Sequence, residues 1–192
     1  MRKTGFIIIL MVGVIVLWGV SIYNGLVKQQ EAMTTAWGQV ENVYQRRADL
    51  VPNLVALVKN YTEYEQGTLI AVTEARAKAV RTTVNTEDFD EIEFSAFESA
   101  QNELGKSLNR LIVSVENYPD LKANEEYLTL QAQLAGCENR IQTERERFNE
   151  AAKTYNQSIR KFPSSLIAKL FGFERRPYFE ADAGAERVPE TF

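Results

Sequence analysis

The side chains that could do chemistry in this chain are carboxylates, arginines, carboxamides and one thiol, because its 192 residues include no histidine. Histidine is the commonest general base and the commonest transition-metal ligand, so its absence removes the usual form of both kinds of site. Di-metal centres in helical bundles also depend on Glu-x-x-His pairs. The sequence therefore predicts no catalytic residue, no metal site and no cofactor.

The remaining nucleophiles and acids are also better explained by structure than by catalysis. Glu63 with Glu65 and Glu144 with Glu146 are separated by two residues, which places the members of each pair on different faces of a helix. Hydrolase nucleophile motifs and phosphate-binding glycine loops are missing as well. The single cysteine, Cys137, lies on an apolar stripe, where a free thiol behaves as a small apolar residue.

An arginine pair, Arg46-Arg47, followed by Asp49, could bind a partner or face lipid. Arg47 nevertheless falls on an apolar helical stripe and should point inward, and a buried arginine needs a carboxylate partner. Asp49 and Asp120 are the candidates for that partner. Arg145 lies on an inward seam too, and the same argument predicts an ion pair for it. We therefore favour a structural role for these arginines.

Three asparagines, Asn53, Asn149 and Asn156, flank positions that are expected to lie in the core. They could bind a ligand inside a bundle. Buried carboxamides more often satisfy backbone hydrogen-bonding groups or fix the register between helices, since each offers both donors and an acceptor. The structural interpretation is favoured here as well.

The element that positions all of these residues begins with an uncharged apolar run over residues 5–23, after a short basic N-terminus of residues 1–4. A helix of roughly 19 residues is about 28 Å long, enough to cross the bilayer core. The helical pattern continues past Tyr23 without turn residues, which favours an uncleaved anchor over a cleaved signal peptide. The cations Arg2 and Lys3 predict a cytoplasmic N-terminus and an extracytoplasmic remainder.

Three long apolar stripes follow the run. The first extends to Val80, with a bend expected at Pro52 or a helix restarting from an Asp49 N-cap. The second covers residues 89–115. The third covers residues 120–162, with Asp120 as its N-cap, a heptad-like seam, and Pro163 as its stop. Residues 164–173 are amphipathic, and residues 174–192 lack periodicity, which predicts a disordered tail.

These patterns predict an all-α protein, since only 10 glycines and 5 prolines interrupt the chain and alternation with period two is hard to find. Three stripes joined by short connections must pack on one another. The predicted architecture is therefore an N-terminal transmembrane helix followed by an elongated antiparallel bundle of long helices over residues 24–173. A net charge of −4 gives no electrostatic reason to expect nucleic-acid binding.

Short motifs are spread over residues 6–179: Tyr23-Asn24, Ala36-Trp37, Arg46-Arg47-x-Asp49-Leu50-x-Pro52-Asn53, Tyr118-Pro119-Asp120, Arg147-Phe148-Asn149, Tyr155-Asn156 and Phe162-Pro163. In order and spacing they resemble the signature of the LemA family. One departure is Phe148, which stands where the family usually has tyrosine. The residues that carry the resemblance are Trp37, Arg46, Arg47, Asp49, Pro52, Asn53, Tyr118, Pro119, Asp120, Asn149, Tyr155, Asn156 and Pro163.

The resemblance implies one membrane helix, a long helical bundle and a location in a bacterial membrane. It also suggests an assembly role, because one relative contributes to organising magnetosome membranes. We therefore expect a docking or scaffold element anchored in the lipid of the inner membrane through residues 5–23, with unknown protein partners or further copies of itself. The alternative is a carboxylate-dependent enzyme or a regulator of an envelope enzyme. The family has often been drawn with its N-terminus outside, opposite to the orientation that the flanking charges predict.

Overall fold

The computed structural model describes the backbone of residues 2–61 and 66–180 and the side chains of residues 6–61 and 66–180. Over those ranges the regular structure is helical and includes no strand, so the predicted all-α class is confirmed. Glu63 and Glu65, and the side chains of the basic N-terminus, lie outside the described residues. The helices are α1 Arg2–Lys59, α2 Gln66–Arg81, α3 Glu91–Val115, α4 Pro119–Lys122, α5 Glu125–Arg160 and α6 Ser164–Phe171.

Helix α1 joins the apolar run to the bundle without a break. It contains 58 residues, which corresponds to a rod about 87 Å long. Pro52 lies inside the helix on its exposed side. The alternative in which Asp49 caps a new helix is wrong, because Asp49 instead accepts a hydrogen bond of 2.8 Å from the Gln45 amide one turn earlier.

The chain reverses direction after α1, which the sequence did not predict. Helix α2 returns along the end of α1, and the Nε of Arg76 donates to the carbonyl of Ala48 over 2.7 Å. Apolar residues keep a helical spacing on both sides of the reversal, so periodicity alone does not reveal it. In the described residues the bundle consists of the second half of α1 together with α2, α3 and α5.

The core of the bundle consists of two clusters along its length. The first surrounds Trp37 and Phe148 and draws on α1, α3, α5, α6 and the segment after α6. The second surrounds Leu54 and Leu104 at the other end and adds α2. Because α1 and α5 contribute to both clusters, their long contact holds the two halves together.

The third predicted helix begins later than expected. Helix α4 is one short turn with Pro119 in its first turn, and Asp120 lies inside that turn instead of capping a long helix. The long helix α5 begins at Glu125, because the side chain of Asn124 accepts hydrogen bonds from the backbone N–H groups of Glu126 and Tyr127. A side chain that satisfies two otherwise free donors is a strong helix start.

The segment that follows α6 is packed where a tail was expected. Residues 174–180 form neither helix nor strand, and Arg176 and Phe179 are buried against the bundle. The prediction of a disordered tail from residue 174 is therefore wrong for these residues. Side chains of α5 satisfy backbone groups of this segment, as described below. The segment can therefore be ordered without the apolar periodicity of a helix. Residues 181–192 lie outside the described residues.

Candidate functional site

Trp37 lies at the centre of an aromatic cluster and is fully buried. Five phenylalanine rings lie 5.1–5.9 Å from its indole ring, measured between centroids. They are Phe89, Phe94, Phe97, Phe148 and Phe179. These rings come from α3, α5, the loop before α3 and the segment after α6, so Trp37 joins every layer of this half of the bundle.

Arg47 is buried, with 3% of its surface exposed, and its guanidinium lies 5.1 Å from the centre of the Tyr44 ring. Its Nη1 donates to Oε1 of Glu138 over 2.7 Å. Its Nη2 donates to the backbone carbonyl of Gln101 over 2.9 Å and to Oε1 of the same residue over 3.0 Å. Neither predicted partner, Asp49 or Asp120, pairs with it, because both are exposed on other parts of the surface.

Arg145 makes a second link between α5 and α3. Its guanidinium donates to Oε1 of Glu98 and to the carbonyl of Glu180, in each case over 2.8 Å, and lies 4.7 Å from the centre of the Phe179 ring. Burial raises the pKa of the nearby Tyr44 phenol, although Arg145 and Arg47 both oppose this shift. The phenol therefore stays protonated beside two arginine–glutamate pairs.

Two asparagines on α5 hold the extended segment after α6. The amide of Asn156 donates to the carbonyl of Arg176 and accepts from its N–H, both over 2.9 Å. The amide of Asn149 makes the same pair of bonds with Phe179, again over 2.9 Å. The asparagines are seven residues, or about 10.5 Å, apart on one face of α5. Their partners Arg176 and Phe179 are three residues apart, and three residues cover that distance only when the chain is extended.

A groove between α3 and α5 begins at Arg145 and extends along α5 towards Gln131. It has a volume of about 780 Å³, and Tyr44 and Arg47 of α1 contribute to its lining. We call it the α3–α5 groove. Three cations, Arg47, Lys106 and Arg145, and one carboxylate, Glu138, line it. Six carboxamides line it as well: Gln101, Asn102, Asn109, Gln131, Asn139 and Gln142.

The other family-motif residues lie outside this groove. Tyr118 is half-buried and packs against the second core cluster, and Tyr155 is fully buried in the first. Burial raises the pKa of the Tyr155 phenol, and the Arg176 guanidinium opposes the shift. Pro163 immediately precedes α6, as the predicted stop requires. The exposed motif residues are Arg46, Asp49, Pro52, Asn53, Pro119 and Asp120.

Sequence reasoning missed the groove because most of its lining is polar and would be assigned to solvated helix faces. One signal was available in Gln101, which falls on the inward stripe of α3 between Phe97 and Leu104. A buried carboxamide on an apolar stripe requires partners. Its partners, however, come from α1 and α2, so only the folded chain identifies them.

A second groove, between α2 and α3, is lined by glutamates, from which an enzyme could build an acid pair. Glu98 is engaged by Arg145, and Glu103 accepts from Lys78 over 2.6 Å. Among the described residues, no group of three or more His, Cys, Asp or Glu side chains is placed to hold a metal ion. The glutamates that line this groove are Glu74, Glu98, Glu103 and Glu180.

Glu41 is the acid with the clearest environmental effect. Burial raises the pKa of its carboxyl group, and the indole of Trp37 one turn earlier opposes the shift. The indole N–H makes no hydrogen bond of ordinary geometry in the described residues, so burial dominates. The small cavity beside Glu41, about 80 Å³, is lined by no second described carboxyl group. A general acid–base pair would need one.

The fold and the site define a class of protein: a helical bundle whose first helix is long and apolar enough to cross a membrane. The family model described as the LemA family matches residues 36–191. The chain therefore belongs to the LemA family.

The relatives place the chain beside two groups of proteins. It is similar to magnetosome protein MamQ of Magnetospirillum gryphiswaldense, with 30% identity over 88% of this chain and 70% of the relative. It is also similar to magnetosome protein MamQ 2 of Paramagnetospirillum magneticum, with 29% identity over 82% of this chain and 64% of that protein. Protein LemA of Metamycoplasma hominis is 24% identical over 94% of this chain and 78% of its own length. The chain thus spans about two thirds or more of these relatives.

Proposed function

We propose that the protein is a membrane-anchored docking element whose α3–α5 groove binds an extended segment of a partner protein, and that it does no chemistry of its own. The observation that carries the proposal is the way in which Asn149 and Asn156 hold the chain after α6. Each asparagine binds both backbone groups of one residue. The same helix face that binds one extended segment continues towards the groove.

The lining of the groove suits a second extended segment. An extended backbone presents N–H and C=O groups that have no partner within their own strand, and a carboxamide can satisfy both. Gln101 is already engaged by Arg47 and by the Ala79 carbonyl, and the five other carboxamides of the lining remain for this role. Arg47 and Arg145 are paired with Glu138 and Glu98, so Lys106 is the remaining cation of the described lining. It gives the groove a modest preference for a neutral or acidic segment over a basic one.

The setting of the groove supports an assembly role. Helix α1 connects the apolar run to the bundle without a loop, so the groove lies at a fixed distance along α1 from that run. Two relatives are named as magnetosome proteins, and a role in organising a membrane compartment agrees with a rigid binding surface beside a bilayer. We extend this role in membrane organisation to the present chain as part of the proposal.

A photo-crosslinking amino acid tests the groove directly. Placed at Gln142, which lines the groove, it should form a discrete protein adduct in native membranes. At Gln133, an exposed glutamine of α5 outside the lining, the adduct should be absent. Asn139→Ala should reduce the Gln142 adduct by about fivefold, the effect of losing ~1 kcal/mol of hydrogen bonding, whereas Gln133→Ala should not.

Equal adducts at Gln142 and Gln133 would contradict the proposal, because the groove would then be no different from the rest of the surface. An adduct that is insensitive to Asn139→Ala, in a variant that keeps its melting temperature, would contradict it too. Adducts with a second copy of this chain would identify the partner as the protein itself.

We also propose that α1 spans the bacterial inner membrane with the bundle on the extracytoplasmic side. Arg2, Lys3 and the amino terminus lie before the apolar run, and Lys28 is the only cation in the turns that directly follow it. Val113 is exposed near the end of α3 and, in a Cys137→Ala background, can be replaced by cysteine. A membrane-impermeant maleimide should label this cysteine in intact spheroplasts. Labelling that appears only after lysis would show that the bundle lies on the cytoplasmic side, opposite to this proposal.

A further inference from the structure

Helix α6 exposes an apolar surface that the bundle does not cover. Leu166 and Leu170, one turn apart, are 60% and 75% exposed, and Phe171 is 56% exposed. Phe162, just before the helix, is 82% exposed. We call these four residues the α6 face. Single exposed apolar residues are common on protein surfaces, but four in a stretch of ten residues form a patch that needs an explanation.

The position of α6 supplies the explanation. Its Ile167 packs beside Gly19 of α1, where a Cβ atom would lie 3.8 Å from the Ile167 Cδ1 atom. The Phe171 ring lies 4.8 Å from the Tyr23 ring, centroid to centroid, and the Phe173 ring lies 5.7 Å from it. Gly19 and Tyr23 are in the last turns of the apolar run. The α6 face therefore lies where that run leaves the bilayer core.

The composition of this region is that of an element at the membrane–water boundary. Tyrosine and tryptophan are enriched at that depth, and short amphipathic helices lie there with their apolar side towards the acyl chains. Lys161 and Lys169 flank the α6 face and are exposed. Long cationic side chains of this kind extend towards headgroups while their aliphatic stems stay in the apolar layer.

We infer that the α6 face is a second membrane contact, buried in the headgroup–acyl boundary of the same bilayer that α1 spans. This inference rests on the membrane anchoring proposed above. Lipid is the occupant because the face adjoins the end of the spanning segment, so lipid reaches it without any further protein. With two attachment points, the bundle cannot rotate freely about the axis of α1.

Spin labelling of the full-length protein tests this contact. In a Cys137→Ala background, Leu170→Cys carries the label. Val14→Cys, in the apolar run, and Val113→Cys, exposed on α3, are the membrane and water references. The protein is placed in nanodiscs of phosphatidylethanolamine and phosphatidylglycerol. Oxygen concentrates in the acyl layer, whereas a nickel chelate stays in water. The ratio of the spin label's collision rate with oxygen to its collision rate with the chelate therefore reports the depth of the label in the bilayer.

The ratio at position 170 should exceed that at position 113 severalfold and remain below the ratio at position 14, as expected for the headgroup–acyl boundary. If position 14 reads as lipid and position 170 as water, the inference is overturned while the anchor stands. If position 14 itself reads as water, the anchor fails and the inference with it. A label at position 170 that is shielded from both reagents and broadened by a second spin would show a second copy on the face, which also overturns the inference. Leu166→Cys gives an independent reading should Leu170→Cys not fold.

Discussion

Replacing Trp37 by alanine should lower the free energy of unfolding of the bundle by about 3–5 kcal/mol. The indole is fully buried and touches five phenylalanine rings from four parts of the fold, so no single neighbour can close the cavity that its removal would leave. Aromatic pairs add about 0.5–1.5 kcal/mol beyond the area they bury. Because a domain has only about 5–15 kcal/mol in total, this loss would bring the bundle close to unfolding.

Denaturant unfolding of the full-length protein in detergent, followed by circular dichroism, measures this effect. Trp18→Ala is the matched control, since Trp18 lies in the apolar run with its side chain exposed to the surroundings of α1. It should leave the unfolding of the bundle unchanged. Equal losses for the two variants would show that the cluster around Trp37 does not hold the layers together.

Arg47→Ala should cost about 2–4 kcal/mol, because it leaves buried acceptors of Gln101 without a donor and opens a cavity beside the α3–α5 groove. The loss of Glu138 as a partner should matter less, since that side chain is 49% exposed and water can solvate it. Arg47→Met, which restores much of the volume but none of the donors, should recover part of the loss and so separate packing from hydrogen bonding.

The neighbouring Arg46→Ala is the matched control for Arg47, because Arg46 is exposed on the same turn of α1. It should change the free energy of unfolding by no more than about 0.5 kcal/mol, as for other surface substitutions. Thermal melts of Arg46→Ala and Arg47→Ala measure this difference in stability. If both changed stability alike, the hydrogen bonds of Arg47 would contribute nothing that an exposed arginine lacks.

The sequence predicted those parts of the fold that depend on periodicity alone. The apolar run, the long stripe of α3 and the seam of α5 each repeat over many turns, and each is a helix in the structure. The reversal between α1 and α2 was missed because it leaves the spacing of apolar residues intact. The start of α5 was misplaced because Asp120 and Asn124 are both good capping residues, and only Asn124 finds two free backbone donors.

The candidate site was much less predictable, since it depends on pairs that are distant in the sequence. The sequence indicated that Arg47 is buried and needs a partner, but that partner, Glu138, lies 91 residues away on another helix. The roles of Asn149 and Asn156 were foreseen only in kind, as side chains that satisfy buried backbone. That the backbone belongs to residues 176–179 could not be read from a segment without periodicity.

The unbroken course of α1 through the end of the apolar run makes the protein a lever with its fulcrum in the bilayer. The part of α1 beyond Tyr23 is about 54 Å long at the ordinary rise of a helix. Membrane helices tilt by about 20° on average and change their tilt when the bilayer thickens or thins. A change in tilt of about 20° would move the far end of the bundle sideways by ~18 Å. A local change in bilayer thickness would thus be amplified into a displacement several times larger at the far end of the bundle, where it could alter which neighbours the bundle reaches.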